Sequence, residues 1–309
     1  MNGTDTEAEA TRLARVWQDA QFALLALQLD PQGLGGIWLR AGHGPVRDAW
    51  LATLRASGLH TVKVPQQVDD ERLLGGMDLA QTLQQGRLVV QAGLLAQADG
   101  GAVLLPMAER LAPHTAAQIA QVQDQGLVHS RDGQQSAPAR FAVIALDESE
   151  TEEAGLAARL SDRLGLWLDL RGNGLADTLA TLEPLSPLEL REAQAQLRQL
   201  QATPAQVQAL CEAAWALGVE SLRAPWMALR LAVIHAALEG RNTLDEDDLR
   251  LAARMVLGPR ATRLPELAPG LDAESAAASA ADAPAQQPPG CPQTWCAPER
   301  YSSVDEAVA

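Results

Sequence analysis

Lysine is almost missing from this chain of 309 residues: of 24 basic side chains only Lys63 is a lysine, and the rest are arginines. Any mechanism that needs a lysine therefore has one candidate, and it lies in an apparent strand, His60–Pro65. Positive charge is scarce altogether. The net charge of −15 argues against the broadly basic surface that nucleic acids require, and leaves room only for a local basic patch. Cysteine is scarce too. Cys211 falls within a helical pattern and reads as a small core residue. Cys291 and Cys296 form a C-x4-C pair with no second pair and no histidine nearby, so no zinc site is expected. No apolar run reaches the roughly 18 residues of a membrane span. The N-terminus, MNGTDTEAEATRLARVWQDA, lacks the apolar centre of a signal peptide. The cytoplasm is the expected location. The histidines, His43, His60, His114, His129 and His235, have no metal-ligand spacing, and no nucleophile stands beside a base.

What remains is an ordinary globular composition, 47% apolar, with a clear change of pattern along the chain. Residues 1–182 alternate helical and strand signals. A helix over Glu7–Gln28 precedes strands at Ile37–Arg40, Thr61–Val64, Ala102–Leu105, Phe141–Leu146 and Leu166–Leu170. Helices at Val46–Ser57, Pro113–Gln125 and Leu156–Leu164 lie between them, and a polar segment runs over Gln66–Gly101. The order predicts an α/β core with a mostly parallel sheet. Within Leu127–Arg140, Asp132-Gly133 signals a hairpin. Residues 183–263 are all-helical. Ser186-Pro187-Leu188-Glu189 is a capping box, Thr203-Pro204 opens a second helix, Ala224–Leu238 forms a third, and Asp245–Asp248 places acid at the start of a fourth that Gly258-Pro259 stops. Residues 264–309 are rich in Ala, Pro, Ser and Gln and read as a linker or disordered tail.

Strand, glycine loop and helix at Gly36–Leu54 form the frame of a phosphate-binding loop. A working loop, G-x-x-x-x-G-K-[ST], wraps phosphates in backbone N–H groups, neutralises them with lysine and holds magnesium through a hydroxyl. At residues 41–48 only Gly42 and Gly44 remain. Pro45, Val46 and Arg47 stand where the lysine and hydroxyl belong, and proline removes an N–H. A plain strand–helix turn is the competing reading. The acidic pair that should end the next buried strand is absent as well: Pro106-Met107 follow Leu105, and Glu109 reads as a surface residue. Asp147-Glu148-Ser149-Glu150-Thr151 imitates a D-x-S-x-S metal motif but reads better as an acidic surface loop. Arg163 and Arg223, taken singly, read as surface or ion-pair residues. Trp215 and Trp226 read as core of the helical domain.

Five segments in this order resemble the D-type, ATPase-like subunits of the magnesium chelatase family: WQDAQFALLALQLDPQGLGGIWLRAGHGPVRDAWL, LLGGMDLAQTLQQGRLVVQAGLLAQADGG, PARFAVIALDE, LSDRLGL and SLRAPWMALRLAVIHAALEGR. The resemblance covers about Val16 to Gly258. It implies an AAA+ module, a P-loop-type α/β core followed by a helical lid. Gly42, Gly44 and Arg47 would be a degenerate phosphate loop with little nucleotide affinity. Arg163 would be an arginine finger reaching ATP and Mg²⁺ on a neighbouring protomer, and Arg223 a lid arginine that senses phosphate. Leu73–Gly101 and Leu127–Arg140 match a family insertion and hairpin.

The implied partners are the I-type subunit, the ATPase of the complex, in a mixed ring, and the large porphyrin-binding H-type subunit. The implied activity is ATP-driven insertion of Mg²⁺ into protoporphyrin IX, on the way to chlorophyll or bacteriochlorophyll, by a complex in which this chain does not itself hydrolyse ATP. The integrin-like domain that follows the linker in D-type subunits is expected to be missing from these 309 residues. An independent AAA+ NTPase and a stand-alone protein-binding module are the alternatives.

Overall fold

A computed structural model describes residues 3–77, 82–84, 86, 90–130, 136–150, 155–178 and 182–263. The Asp132-Gly133 turn, Thr151, the tail, Cys291 and Cys296 lie outside them. Strands are β1 (Gly36–Arg40), β2 (Thr61–Lys63), β3 (Gly75–Met77), β4 (Val90–Ala92), β5 (Ala102–Leu105), β6 (Leu127–His129), β7 (Ser136–Pro138), β8 (Ala142–Asp147) and β9 (Leu166–Asp169). Among the described residues five of them form one sheet in the order β2-β5-β8-β1-β9. Every pairing in it is parallel: Ile37 sits opposite Ile144 on one side and Leu166 on the other, and Val103 opposite Val143. The expected mostly parallel sheet is therefore present.

The centre of the sheet explains the sequence pattern. All six residues of β8 are buried, because both faces of a parallel sheet are covered. Ile37, Leu39, Ala142, Ile144, Leu146, Leu166 and Leu168 pack on one face with the long helix Gly3–Leu29 and the helix Pro45–Ala56. Val103, Leu105, Val143 and Ala145 pack on the other with the helix Pro113–Gln125. The segment that read only as polar contains the helix Asp70–Leu74, the antiparallel pair β3–β4 and the helix Leu94–Gln97. β6 and β7 pair antiparallel, as expected of a hairpin.

The helices Pro187–Gln199, Pro204–Ala216, Arg223–Leu238 and Glu246–Ala252 follow. Three begin with complete capping boxes, at Ser186/Glu189, Thr203/Gln206 and Asp245/Asp248, so orphan N–H groups at each start are satisfied locally. Nine residues of Arg223–Leu238 are buried, and the helix shares its apolar cluster with Trp17, Leu24 and Leu27 of the first helix. Residues Met1–Pro265 form one compact unit. Among the described residues no helix is long and apolar enough to cross a membrane.

Two expected boundaries differ. Leu156–Leu164 is helical only over Ala158–Ser161; Arg163 and Leu164 then close tight turns onto Leu160 and Ser161, which bring the chain round into β9. Gly258-Pro259 does not end the last helix in a left-handed cap. Gly258 keeps right-handed helical angles, and the helix passes through a wide turn, Ala253–Leu257, into a tight one, Gly258–Arg260. Pro259 sits in the first turn of that piece, where its missing N–H is not required.

Candidate functional site

In a parallel sheet all strands run the same way, so the molecule has a carboxyl end and an amino end, and chemistry-bearing residues gather at both. At the carboxyl end β1 runs into the loop 41–48. Gly44 precedes the helix and Pro45 is its first residue, so one of the N–H groups that could face an anion is absent. A Cβ on Gly42 or Gly44 would meet nothing within 4 Å, so neither glycine is required by neighbouring protein. Arg47 is buried, and its Nη1 lies 2.5 Å from Glu148 Oε1. The Glu148 N–H in turn donates to Glu109 Oε2 at 3.2 Å.

Beside this pair Asp147 is completely buried. It accepts hydrogen bonds from Trp38 Nε1 at 3.0 Å, Arg40 Nε at 3.3 Å, and the Ser149 N–H at 2.9 Å and hydroxyl at 2.5 Å. Asp169, at the end of β9, takes Arg171. Burial works against ionisation of Asp169, but Arg171 outweighs it and holds the carboxyl below the usual range.

These contacts correct two expectations. Asp147 and Glu148 do not form an acidic surface loop, because Arg40 and Arg47 draw them inward. Glu109 is no surface residue, since only 4% of its side chain is exposed. After β5 the backbone turns through a left-handed Met107, φ +48°, and this tucks the turn Ala108–Arg110 beneath the end of β8. Among the described residues no group of three or more His, Cys, Asp or Glu side chains is placed to hold a metal ion. Arg40, Arg47 and Arg171 are each paired with a carboxylate of the chain, and Pro106-Met107 offer no ligand for magnesium.

The amino end carries the other two candidates, and the fold brings them together. The carbonyl of Arg163 approaches Gly35, where a Cβ would stand 2.0 Å from it; only glycine, at φ +67°, allows the contact. The Gly165 N–H donates to Leu34 O at 2.8 Å, which fixes the same loop to the start of β1. Arg163 Nε donates to Asp124 Oδ1 at 3.0 Å, its Nη2 to Asp124 Oδ2, and its Nη1 to Arg159 O at 2.5 Å. Arg223, the first residue of its helix, places Nη2 3.3 Å from Asp124 Oδ1 and Nε 3.4 Å from Asp162 Oδ2. The hydrogen bond from Arg163 holds the Asp124 carboxyl below the usual range, partly opposed by burial, and the charge of Arg223 adds to it.

A cleft of about 370 Å³ opens here, lined by Gly35, Asp124, Arg140, Arg163, Arg223 and Trp226 among others. Five strand residues at about 3.3 Å each put roughly 15 Å between this cleft and the loop 41–48. Gly42, Gly44 and Arg47 on one side and Arg163 and Arg223 on the other thus belong to separate places.

Sequence reasoning missed Asp124, Arg140 and Arg260. Asp124 and Arg140 approach the arginines only through the fold, and no local motif announces them. Arg260 is buried and donates to the carbonyls of Leu164, Gly165 (3.0 Å) and Val256 (2.6 Å), while its guanidinium lies 4.1 Å from the Trp167 ring. Burial lowers its pKa to about 10, so it stays charged at neutral pH and braces the loop that carries Arg163.

Three residues read as core are exposed. Trp215 is 82% and Trp226 64% accessible, and Cys211 is exposed. The helix Pro204–Ala216 has two apolar stripes. Leu210 and Ala214 are buried, whereas Val207, Cys211 and Trp215, four residues apart, face outward.

The AAA lid domain family matches residues 207–280. The magnesium-chelatase 60 kDa subunit of Cereibacter sphaeroides is 39% identical over 82% of this chain and 42% of its own length. The 38 kDa subunit from the same organism is 30% identical, with 66% of this chain and 67% of that protein covered. The chain belongs to the family of magnesium-chelatase AAA+ subunits. It spans less than half the length of its 60 kDa relative. A candidate ATPase from Cytophaga hutchinsonii, 15% identical, superposes with a TM-score of 0.57 over 84% of this chain and 90% of that one, a likeness of fold alone.

Proposed function

We propose that this chain is a non-hydrolysing AAA+ subunit of magnesium chelatase. In this reading it assembles in a ring with the I-type ATPase subunit and lends Arg163, with Arg223 beside it, to the ATP bound there. Hydrolysis of that ATP drives insertion of Mg²⁺ into protoporphyrin IX, carried by the large H-type subunit, in the cytoplasm, as a step towards chlorophyll or bacteriochlorophyll.

The observation that carries the reading is the meeting of Arg163 and Arg223 on Asp124, at the opposite end of the sheet from the chain's own loop 41–48. Arginines so placed serve an anion on another molecule better than one of their own. A guanidinium supplied in trans stabilises the charge that builds on the transferred phosphoryl group and raises the rate by about 10³-fold or more. This chain's part is to bind and orient: Arg260 and Gly35 hold the Arg163 loop, and the arginine fork meets the phosphate oxygens.

The test is to mix the chain with the I-type ATPase, with and without the large porphyrin-binding protein, and to measure ATP hydrolysis and metal insertion. Arg163→Ala is expected to lower both by at least about ten-fold while co-purification with the ATPase persists. Unchanged rates in a complex that still forms would sink the proposal. One observation favours a second reading, a protein-binding module: the outward stripe Val207, Cys211 and Trp215 on the lid. Binding of a partner other than the I-type ATPase, blocked by Trp215→Ser, would support it.

A further inference from the structure

Asp124 stands in an unusual place for a carboxylate. It lies in the last turn of the helix Pro113–Gln125, where the helix carries negative partial charge and an anion is disfavoured. Attraction to Arg163 and Arg223 must offset this. Both of its oxygens take the fork of Arg163, and Oδ1 also meets Arg223. That bidentate arrangement is the one in which a guanidinium binds two phosphate oxygens. The second carboxylate, Asp162, is held differently: Ser221 donates its hydroxyl to Oδ1 at 2.5 Å, so Asp162 has a partner besides arginine. Arg140 lines the same cleft, its Nε 3.6 Å from Asp99 Oδ1, and Trp226 flanks it with an exposed ring.

We propose that Asp124 is an internal counterion that stands in for phosphate in the free chain, and that a polyphosphate entering the cleft displaces it from Arg163. Asp124 is then a positioning residue. It keeps the guanidinium in the orientation an incoming phosphate needs, and it makes binding weak until a ligand with more negative charge than one carboxylate competes. The same N–H groups of Arg163 serve carboxylate and phosphate in turn, so the exchange loses no donor. The source of the phosphate, a neighbour's nucleotide, rests on the reading of Arg163 given above; the exchange itself does not.

The experiment is calorimetric titration of the isolated full chain with inorganic tripolyphosphate at low ionic strength and without magnesium. Asp124→Asn, which keeps the shape and removes the charge, is expected to bind about five-fold or more tightly than the native chain. Asp124→Ser is expected to do the same. The gain is expected to vanish in the double variant Asp124→Asn/Arg163→Ala, which separates the cleft from any other anion site. A purely structural Asp124 would give no gain of affinity. Equal or weaker binding by either folded variant overturns the proposal. Loss of folding in both, read by circular dichroism, overturns it too, because a displaceable counterion is not needed to hold the fold. The titration contains no partner, so its failure leaves the role of Arg163 towards the I-type ATPase standing. Failure of the mixing experiment likewise leaves the exchange untouched.

Discussion

The two ends of one parallel sheet hold the same side chains, arginine and carboxylate, in different conditions. At the carboxyl end Arg47 and Asp147 are buried, and each is paired with a part-buried partner, Glu148 and Arg40. At the amino end Arg163 and Arg223 share Asp124 at the rim of an open cleft. Buried pairs make structure, because removal of one partner strands a charge in a poorly solvated place. Pairs at a rim exchange partners cheaply, because water covers the intermediate states. In the reading proposed here the carboxyl end serves as scaffold, and the amino end holds the side chains that answer a ligand.

The largest expected effect tests the scaffold. Asp147→Ala removes the acceptor of Trp38, Arg40 and Ser149 and should cost about 3 kcal/mol of stability, measured by urea unfolding. At the other end Arg163→Ala should cost less than about 1 kcal/mol in the same assay, since its pair is partly exposed. Equal losses would erase the contrast.

Acid should act on both ends, less strongly. The carboxyls of Asp124 and Asp169 lie below the usual range in the folded chain. Each therefore contributes stability that is complete above the unfolded-state value, near pH 4, and is lost as pH falls through the lower folded value. Thermal melts between about pH 5 and pH 2 should follow this loss, and Asp124→Asn should flatten the share that belongs to the amino end. The smallest effect sharpens the comparison from the opposite side. Pro45→Lys with Val46→Thr restores the side chains of a phosphate loop, yet should yield no ATP hydrolysis in a phosphate-release assay. Arg47 stays bound to Glu148, and Pro106-Met107 still lack carboxylates.

Much of this architecture was legible in the chain. Helix starts are local events, and Ser186, Thr203 and Asp245 bring their own capping partners three residues on. The buried run Ala102–Leu105 marked a strand covered on both faces. The side of a helix that faces the core is another matter. In Pro204–Ala216 both Leu210/Ala214 and Val207/Cys211/Trp215 fit the helical period, and the period alone does not choose between them.

The sequence by itself determined the order of the five sheet strands and of the four helices that follow them, the missing lysine and hydroxyl at Pro45 and Val46, and the missing acids at Pro106 and Met107. These depend on residue type and near neighbours. The tertiary structure alone decided where the charges go. Arg47 meets Glu148 across 101 positions and Arg163 meets Asp124 across 39. Only the folded sheet, whose strands set an amino end apart from a carboxyl end, determines which arginines are used up inside and which remain at a rim.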